Sequence, residues 1–171
     1  MIDTVTRFLN QLPDQRAANQ LRPIFEAIAD TISTTSLMSA AIVIKAGGSA
    51  LAKTGAAIWH GLAGGTRVVI PAATDLAAFA GTVAADAFNV YAHFVDAAGT
   101  LTTVMGTAGA TEAAVVFPAR PAKKILIGYT KINPTGTGDF VGGTTVLDDA
   151  TVVPNAVFVS VVGGYDPTVK M

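Results

Sequence analysis

The side chains able to do covalent or acid–base chemistry are few in this 171-residue chain, and their spacing suits none of the common reactions. Cysteine is absent, which removes thiol catalysis, disulfides and thiolate metal sites together. The serines are Ser33, Ser36, Ser39, Ser49 and Ser160, and none lies in the strand–turn–helix pattern that exposes a nucleophile. His60 and His93 are far apart and lack the spacing of helical metal ligands. In Phe88–Val95 the alternation puts Phe88, Val90, Ala92 and Phe94 on one face, expected to point inward, and Asn89, Tyr91 and His93 on the other. His93 is therefore expected to be exposed or hydrogen-bonded, not a base or a ligand.

Carboxylates are equally thin. Glu26 and Glu112 are the only glutamates, and Asp148-Asp149 is the one acidic pair. Adjacent residues on a strand diverge, so these two could share a cation only inside a turn. Val146–Thr151 has the composition of such a turn, and an Asx-type turn is the expected reading. The run Asn133-Pro-Thr-Gly-Thr-Gly-Asp-Phe-Val-Gly-Gly143 has the glycines of a phosphate loop but not its context. A Walker or dinucleotide loop runs into a helix, and here the β-prone Thr144-Thr-Val-Leu147 follows. The glycines are expected to supply positive φ angles in a long surface loop, a common place for partner contacts. Trp59, Tyr91, Tyr129 and Tyr165 form no carbohydrate-stacking run. The expectation is a protein that is not an enzyme, with no cofactor and no metal.

The elements that carry these residues fall into two parts. Residues 1–36 contain no glycine, and all 17 glycines lie from Gly47 onward. This break predicts an N-terminal helical arm over 1–36 and a β-rich domain over 37–171. In the arm, Ile2, Val5, Phe8, Leu9 and Leu12 recur at helical spacing, with Asp3 as cap and Pro13 as stop. A second helix opens near Asp14, with Ala17, Leu21, Ile24, Phe25, Ile28 and Ile32 as its stripe. Pro23 predicts a kink or break in it. The stripes can pack on the chain's own β-domain or bind a neighbouring subunit. The candidate partner interface is Ile2, Val5, Phe8, Leu12, Leu21, Ile24, Phe25 and Ile28, with Phe140 from the glycine-rich loop.

Beyond the arm the pattern becomes that of strands. They are expected at Ala41–Lys45, Ala56–His60, Thr66–Ile70, Ala113–Phe117, Lys123–Ile132 and Val157–Val162. The clearest hairpin joins Phe88–Val95 to Thr100–Met105 through Asp96-Ala-Ala-Gly99. Ile125–Ile127 and Val157–Val159 are apolar on both faces and are expected at the centre of a sheet. Thr74–Ala87 reads as helix or loop. The fold class is mainly β, an antiparallel sandwich or barrel-like domain with an N-terminal helical segment.

Charge and hydropathy bound the partners. Charged residues are 13% of the chain, against about 25% in an average domain. Hydrophobic residues are 51%, so part of the surface is expected to lie under other subunits. A net charge of −1 gives no footprint for nucleic acid. The lysine- and arginine-free stretch from Val68 to Ala119 is broken by Pro71, Asp75, Asp86, Asp96, Glu112 and Pro118, so no membrane span is expected. The first residues, with Asp3 and Arg7, lack the apolar core of an export signal.

Several of these runs, taken together, resemble a recurring module of tailed-phage virion proteins. The resemblance lies in Ile127–Ala156, on Asn133-Pro-Thr-Gly-Thr-Gly138 and Leu147-Asp-Asp-Ala-Thr151, with Gly163-Gly-Tyr-Asp-Pro167 closing it. Phe88–Phe117, with Met105-Gly-Thr-Ala-Gly109, looks like the module's upstream half. Residues 1–36 lie outside it. The resemblance implies a head decoration (cement) or head-fibre protein on the virion surface, assembled in the host cytoplasm. The major capsid protein would be its partner and a homotrimer its expected state. The alternative it leaves open is a fibre or adhesin module that binds host-surface glycan.

Overall fold

The computed structural model describes residues 15–38, 41–154 and 156–163. One helix, α1 (Gln15–Ser33), precedes eleven short strands among these residues. The strands are β1 (Thr35–Ser36), β2 (Ile42–Ile44), β3 (Ala52–Thr54), β4 (Trp59–Ala63), β5 (Thr66–Ile70), β6 (Thr82–Val83), β7 (Asn89–Val95), β8 (Leu101–Met105), β9 (Ile125–Ile132), β10 (Phe140–Val141) and β11 (Val157–Ser160). All strand pairings are antiparallel. The main sheet has the order β11-β9-β7-β8; β1-β4-β5 form a second sheet, and β2-β3 and β6-β10 form two ribbons. The fold is mainly β and sandwich-like, with an N-terminal helix.

The hairpin β7–β8 forms as its sequence demands. Asp96 Oδ1 accepts the backbone N–H groups of Ala98 and Thr100, and Gly99 takes φ +83° to close the turn. The backbone N–H of Thr100 is the main reason that the Asp96 carboxyl is held below its ordinary pKa.

β9 changes parity midway. His93 pairs with Gly128, but Phe94 pairs with Leu126, so a bulge inserts Ile127. Ile132 and Ile125, of opposite parity, thereby reach the same core. That core, between the main sheet and the smaller ones, holds Trp59, Phe79, Val83, Tyr91, Val95, Ile125, Ile127, Ile132 and Phe140. A second, smaller cluster of Ala92, Phe94 and Leu126 lies under Val104, Phe117 and Val161.

Several expectations need correction. β7 is buried on both faces, and the Tyr91–Val95 side faces the larger core. His93 is therefore enclosed, although its sequence neighbours suggested a polar face. β11 is an edge strand with Val157 half open to water, because only β9 pairs with it. Ala113–Phe117 is not a strand: Glu112–Ala114 form a 3-10 turn, and Val116 makes one bridge to Thr107. Of the two readings of Thr74–Ala87 the loop holds: Leu76 and Phe79 anchor it, and the short β6 lies within it. α1 runs through Pro23 unbroken. Asn19 and Pro23 are both exposed, so the carbonyl that lacks its donor can turn to water.

Phe140 is also corrected: it is fully buried and does not belong to an outer surface. It meets Phe79 and Tyr91 edge-on, with ring centroids 6.2 and 5.9 Å apart. The glycine-rich loop lies down on the protein here, because Gly142 passes so close to Phe79 and Ala80 that a Cβ would sit 2.8 Å from the Ala80 nitrogen. The loop's aromatic is its anchor. The same cluster buries the Tyr91 hydroxyl without a hydrogen-bond partner and pushes its pKa up to about 12. Removing a buried, unpartnered hydroxyl relieves its desolvation cost. Tyr91→Phe is expected to stabilise the fold by about 1 kcal/mol, read as a higher denaturant midpoint at unchanged slope. A midpoint that falls would mean that the hydroxyl has a partner.

Candidate partner interface

The acid–base candidates sit in structural roles. His93 is 1% exposed and lies between three strands. Thr103 Oγ1 donates its hydrogen to the Ala77 carbonyl at 2.6 Å. It can therefore only accept from His93 Nδ1, 3.0 Å away. Nδ1 must carry the proton, and Nε2 accepts from Thr130 Oγ1 at 2.9 Å. The imidazole is a neutral cross-brace of β7, β8, β9 and the Ala77 loop, packed edge-on against Phe79. Burial pushes its pKa down to about 3. Asp148 receives the Gly48 N–H and Asp149 receives those of Thr151 and Val152, which is the expected Asx turn. These backbone donors, Val152 first, also hold the Asp149 carboxyl below its ordinary pKa. Among the described residues there is no group of three side chains that could hold a metal ion. No described helix is long and apolar enough to cross a membrane.

The arm is where the surface departs from an ordinary domain. Its root is fixed. Ser33 Oγ donates back to the Ala29 carbonyl, Gly65 N–H to the Ser33 carbonyl, and Gly64 N–H to Thr34 Oγ1. Ser36 exchanges two backbone hydrogen bonds with Gly163, and its hydroxyl accepts the buried Trp59 Nε1–H at 3.0 Å. β1 thus belongs to the sheet, although the compositional break falls after it. Deleting residues 1–33 is expected to leave the β-domain folded. Deleting 1–36 strands the Trp59 N–H and costs at least about 2 kcal/mol more, measurable by thermal melting. Equal melting of the two truncations would contradict this.

Above its root α1 stands away from the sheets. Among the described residues no strand packs along it. A cleft of about 500 Å³ separates Glu26, Ala29 and Ser33 from Ala63, Gly64, Thr66, Ala97 and Lys123. At about 100° per residue, the mean direction of Leu21, Ile24 and Ile28 is roughly 140° from that of Glu26, Ala29 and Ser33. The helix therefore turns polar and small residues toward its own domain and an apolar edge toward water. Leu21 is 36% exposed, Ile24 54% and Ile28 49%; Phe25 is half-buried. This is the reverse of a helix covering its own core.

Comparison with family models, curated proteins and solved structures gives no match. The geometry alone therefore orders the candidate residues. It brings Leu21, Ile24 and Ile28 together on one open edge and removes Phe140. Ile2, Val5, Phe8 and Leu12 lie outside the described residues. The composition did not reveal a second exposed group near the root, Leu37, Met38 and Val69. Leu37 and Met38 donate to the His60 carbonyl, and Val69 is opposite His60 in β5. Leu37-Met38 is too short a run for a periodicity test, and Val69 lies between the buried Val68 and Ile70 in a strand whose exposed face composition does not mark.

Proposed function

We propose that this chain is a structural protein of a tailed-phage virion, a decoration protein seated on the major capsid protein at the outer head surface. The observation that carries the reading is the orientation of α1, which offers Leu21, Ile24 and Ile28 to a partner and not to its own domain. The helix is also weak alone. It has no acidic residue in its first turn, no basic residue in its last, and a proline inside, so it depends on a partner for stability. The resemblance of Ile127–Ala156 to virion modules supplies the phage context.

Such a protein needs no reactive group. Binding to the assembled shell and not to its separated parts stabilises the shell by mass action. A homotrimer, assembled in the host cytoplasm and placed at local threefold positions, suits this task, and neither nucleic acid nor membrane enters it. The sequestered, neutral His93 agrees with a non-catalytic domain. The glycan-binding alternative calls for open aromatic platforms, and none of the described aromatics is exposed. Gel densitometry of purified virions tests the proposal: decoration predicts a copy number comparable to that of the major shell protein. A handful of copies per particle would reject it in favour of a fibre position.

A further inference from the structure

We propose that β5 is a self-association edge, to which a second copy of this chain adds its own β5, antiparallel about a two-fold axis at Val68. The inference goes beyond the decoration reading and does not depend on it. β5 ends the sheet β1-β4-β5, and among the described residues no strand or bridge lies on its outer side. Thr66, Arg67 and Val69 are exposed. The two-residue turn Gly64-Gly65 sets the alternation of the ladder: Ala63–Thr66, Gly61–Val68 and Trp59–Ile70 are the pairs that exchange backbone hydrogen bonds. The His60 carbonyl agrees, because it turns to the other side and accepts the N–H groups of Leu37 and Met38. The N–H and C=O groups of Arg67 and Val69 therefore point away from β4, out of the sheet edge.

The main sheet blunts its own edges. Loop 77–81 lies along β8, where the Ala77 carbonyl takes the Thr103 hydroxyl and Gly81 touches Met105. Beyond β11, Gly163 is paired with Ser36. β5 lacks the usual protections of an edge: it holds no lysine and no proline, and its register with β4 runs without a bulge. Its residues are β-branched apart from Arg67. A second β5 fits this edge in one register. With Val68 opposite Val68, Arg67 of each copy lies opposite Val69 of the other, and each such pair exchanges two backbone hydrogen bonds, which satisfies every outward group of both residues. Centring the pair on Arg67 sets two guanidinium groups opposite each other, which is unfavourable. Centring it on Val69 sets the Arg67 carbonyl opposite Pro71, which has no N–H. The Val68 centre avoids both, and the aliphatic stem of Arg67 then covers Val69, 44% exposed in the single chain. One strand pair is far smaller than the roughly 800 Å² per side of a stable dimer, so the contact is weak between free chains and counts where copies are arrayed side by side. In the proposed trimer it leaves the threefold contact to another surface and links one trimer to the next.

The absence of cysteine makes the register testable. Full-length Arg67→Cys and Val69→Cys are prepared separately, with circular dichroism and alkylation to verify that each is folded and its thiol accessible. They are then oxidised singly and as an equal mixture at about 1 mM, where weak contacts are populated. In the proposed register positions 67 and 69 of two copies face each other with about 5.5 Å between Cα atoms, within disulfide reach. The 67–67 and 69–69 separations are about 8 Å, beyond it. The mixture is expected to give the mixed disulfide, resolved by intact mass, at least about fivefold over the two like disulfides together. Equal amounts of mixed and like disulfides, as random collision gives, or no disulfide at all overturn the proposal. Val69→Cys that links to itself overturns the Val68 register. Sedimentation velocity of the cysteine-free chain gives a second reading. The wild-type sedimentation coefficient is expected to rise with concentration, and Val69→Lys, which sets an ammonium opposite Arg67 of the second copy, to need at least about fivefold more protein for the same rise. Coinciding curves for the two chains overturn the edge contact.

Discussion

Under the proposed decoration role, Ile24→Glu with Ile28→Lys is expected to leave the free protein folded and to abolish its binding to phage heads. Both side chains are about half exposed, so the substitution changes the stability of the isolated chain by no more than about 0.5 kcal/mol. The new pair is also an i,i+4 Glu–Lys pair in the favourable order, which supports the helix and keeps the net charge at −1. At an interface the two groups are costly. Burying a charged group without a partner costs several kcal/mol, and each 1.4 kcal/mol is tenfold in affinity. Sedimentation with empty heads should show affinity reduced at least about 100-fold, with unchanged circular dichroism. Undiminished binding would move the interface elsewhere, first to Leu37, Met38 and Val69.

His93→Ala should have the largest effect on the fold. The change opens a cavity in a closed core, takes the edge contact from Phe79, and leaves the buried Thr130 hydroxyl without its acceptor. The sum is about 3–5 kcal/mol, read from denaturant unfolding. His93 also sets an acid limit. The folded pKa of about 3 lies below the ordinary histidine value of 6.5, so between these values the unfolded chain takes a proton that the folded chain refuses. The stability from the neutral imidazole is complete above about pH 6.5 and is lost as pH falls toward 3, at about 1.4 kcal/mol per pH unit through the middle of that window. His93→Asn removes the titration, and carboxylate contributions cancel in the comparison. The wild type should lose its stability advantage over His93→Asn as pH falls from 6 to 4; parallel curves would place His93 in a wetter site.

The sequence made local pairings legible and left distant cover hidden. The β7–β8 hairpin follows from alternation plus Asp96 and Gly99, all within eighteen residues. Its register already sets Thr103 opposite His93, a hint that the histidine has a partner. What encloses that pair, Phe79 and Thr130, comes from remote segments whose placement depends on tertiary packing. The same limit explains β11: Val157-Phe-Val159 reads as central by composition, yet no strand arrives to cover its outer edge. The apolar edge of α1 was readable residue by residue, but the periodicity of a helix is silent on which way the stripe turns. Phe140 illustrates the converse. A single large aromatic among glycines and threonines is a better sign of an anchor than of an exposed contact.

A low-resolution reconstruction of the intact virion tests the assignment most directly. The account predicts protruding density at regular positions over the whole head, missing when the gene for this chain is deleted, with α1 as the part that touches the shell. Density confined to the tail, or a head surface identical with and without the chain, would contradict it.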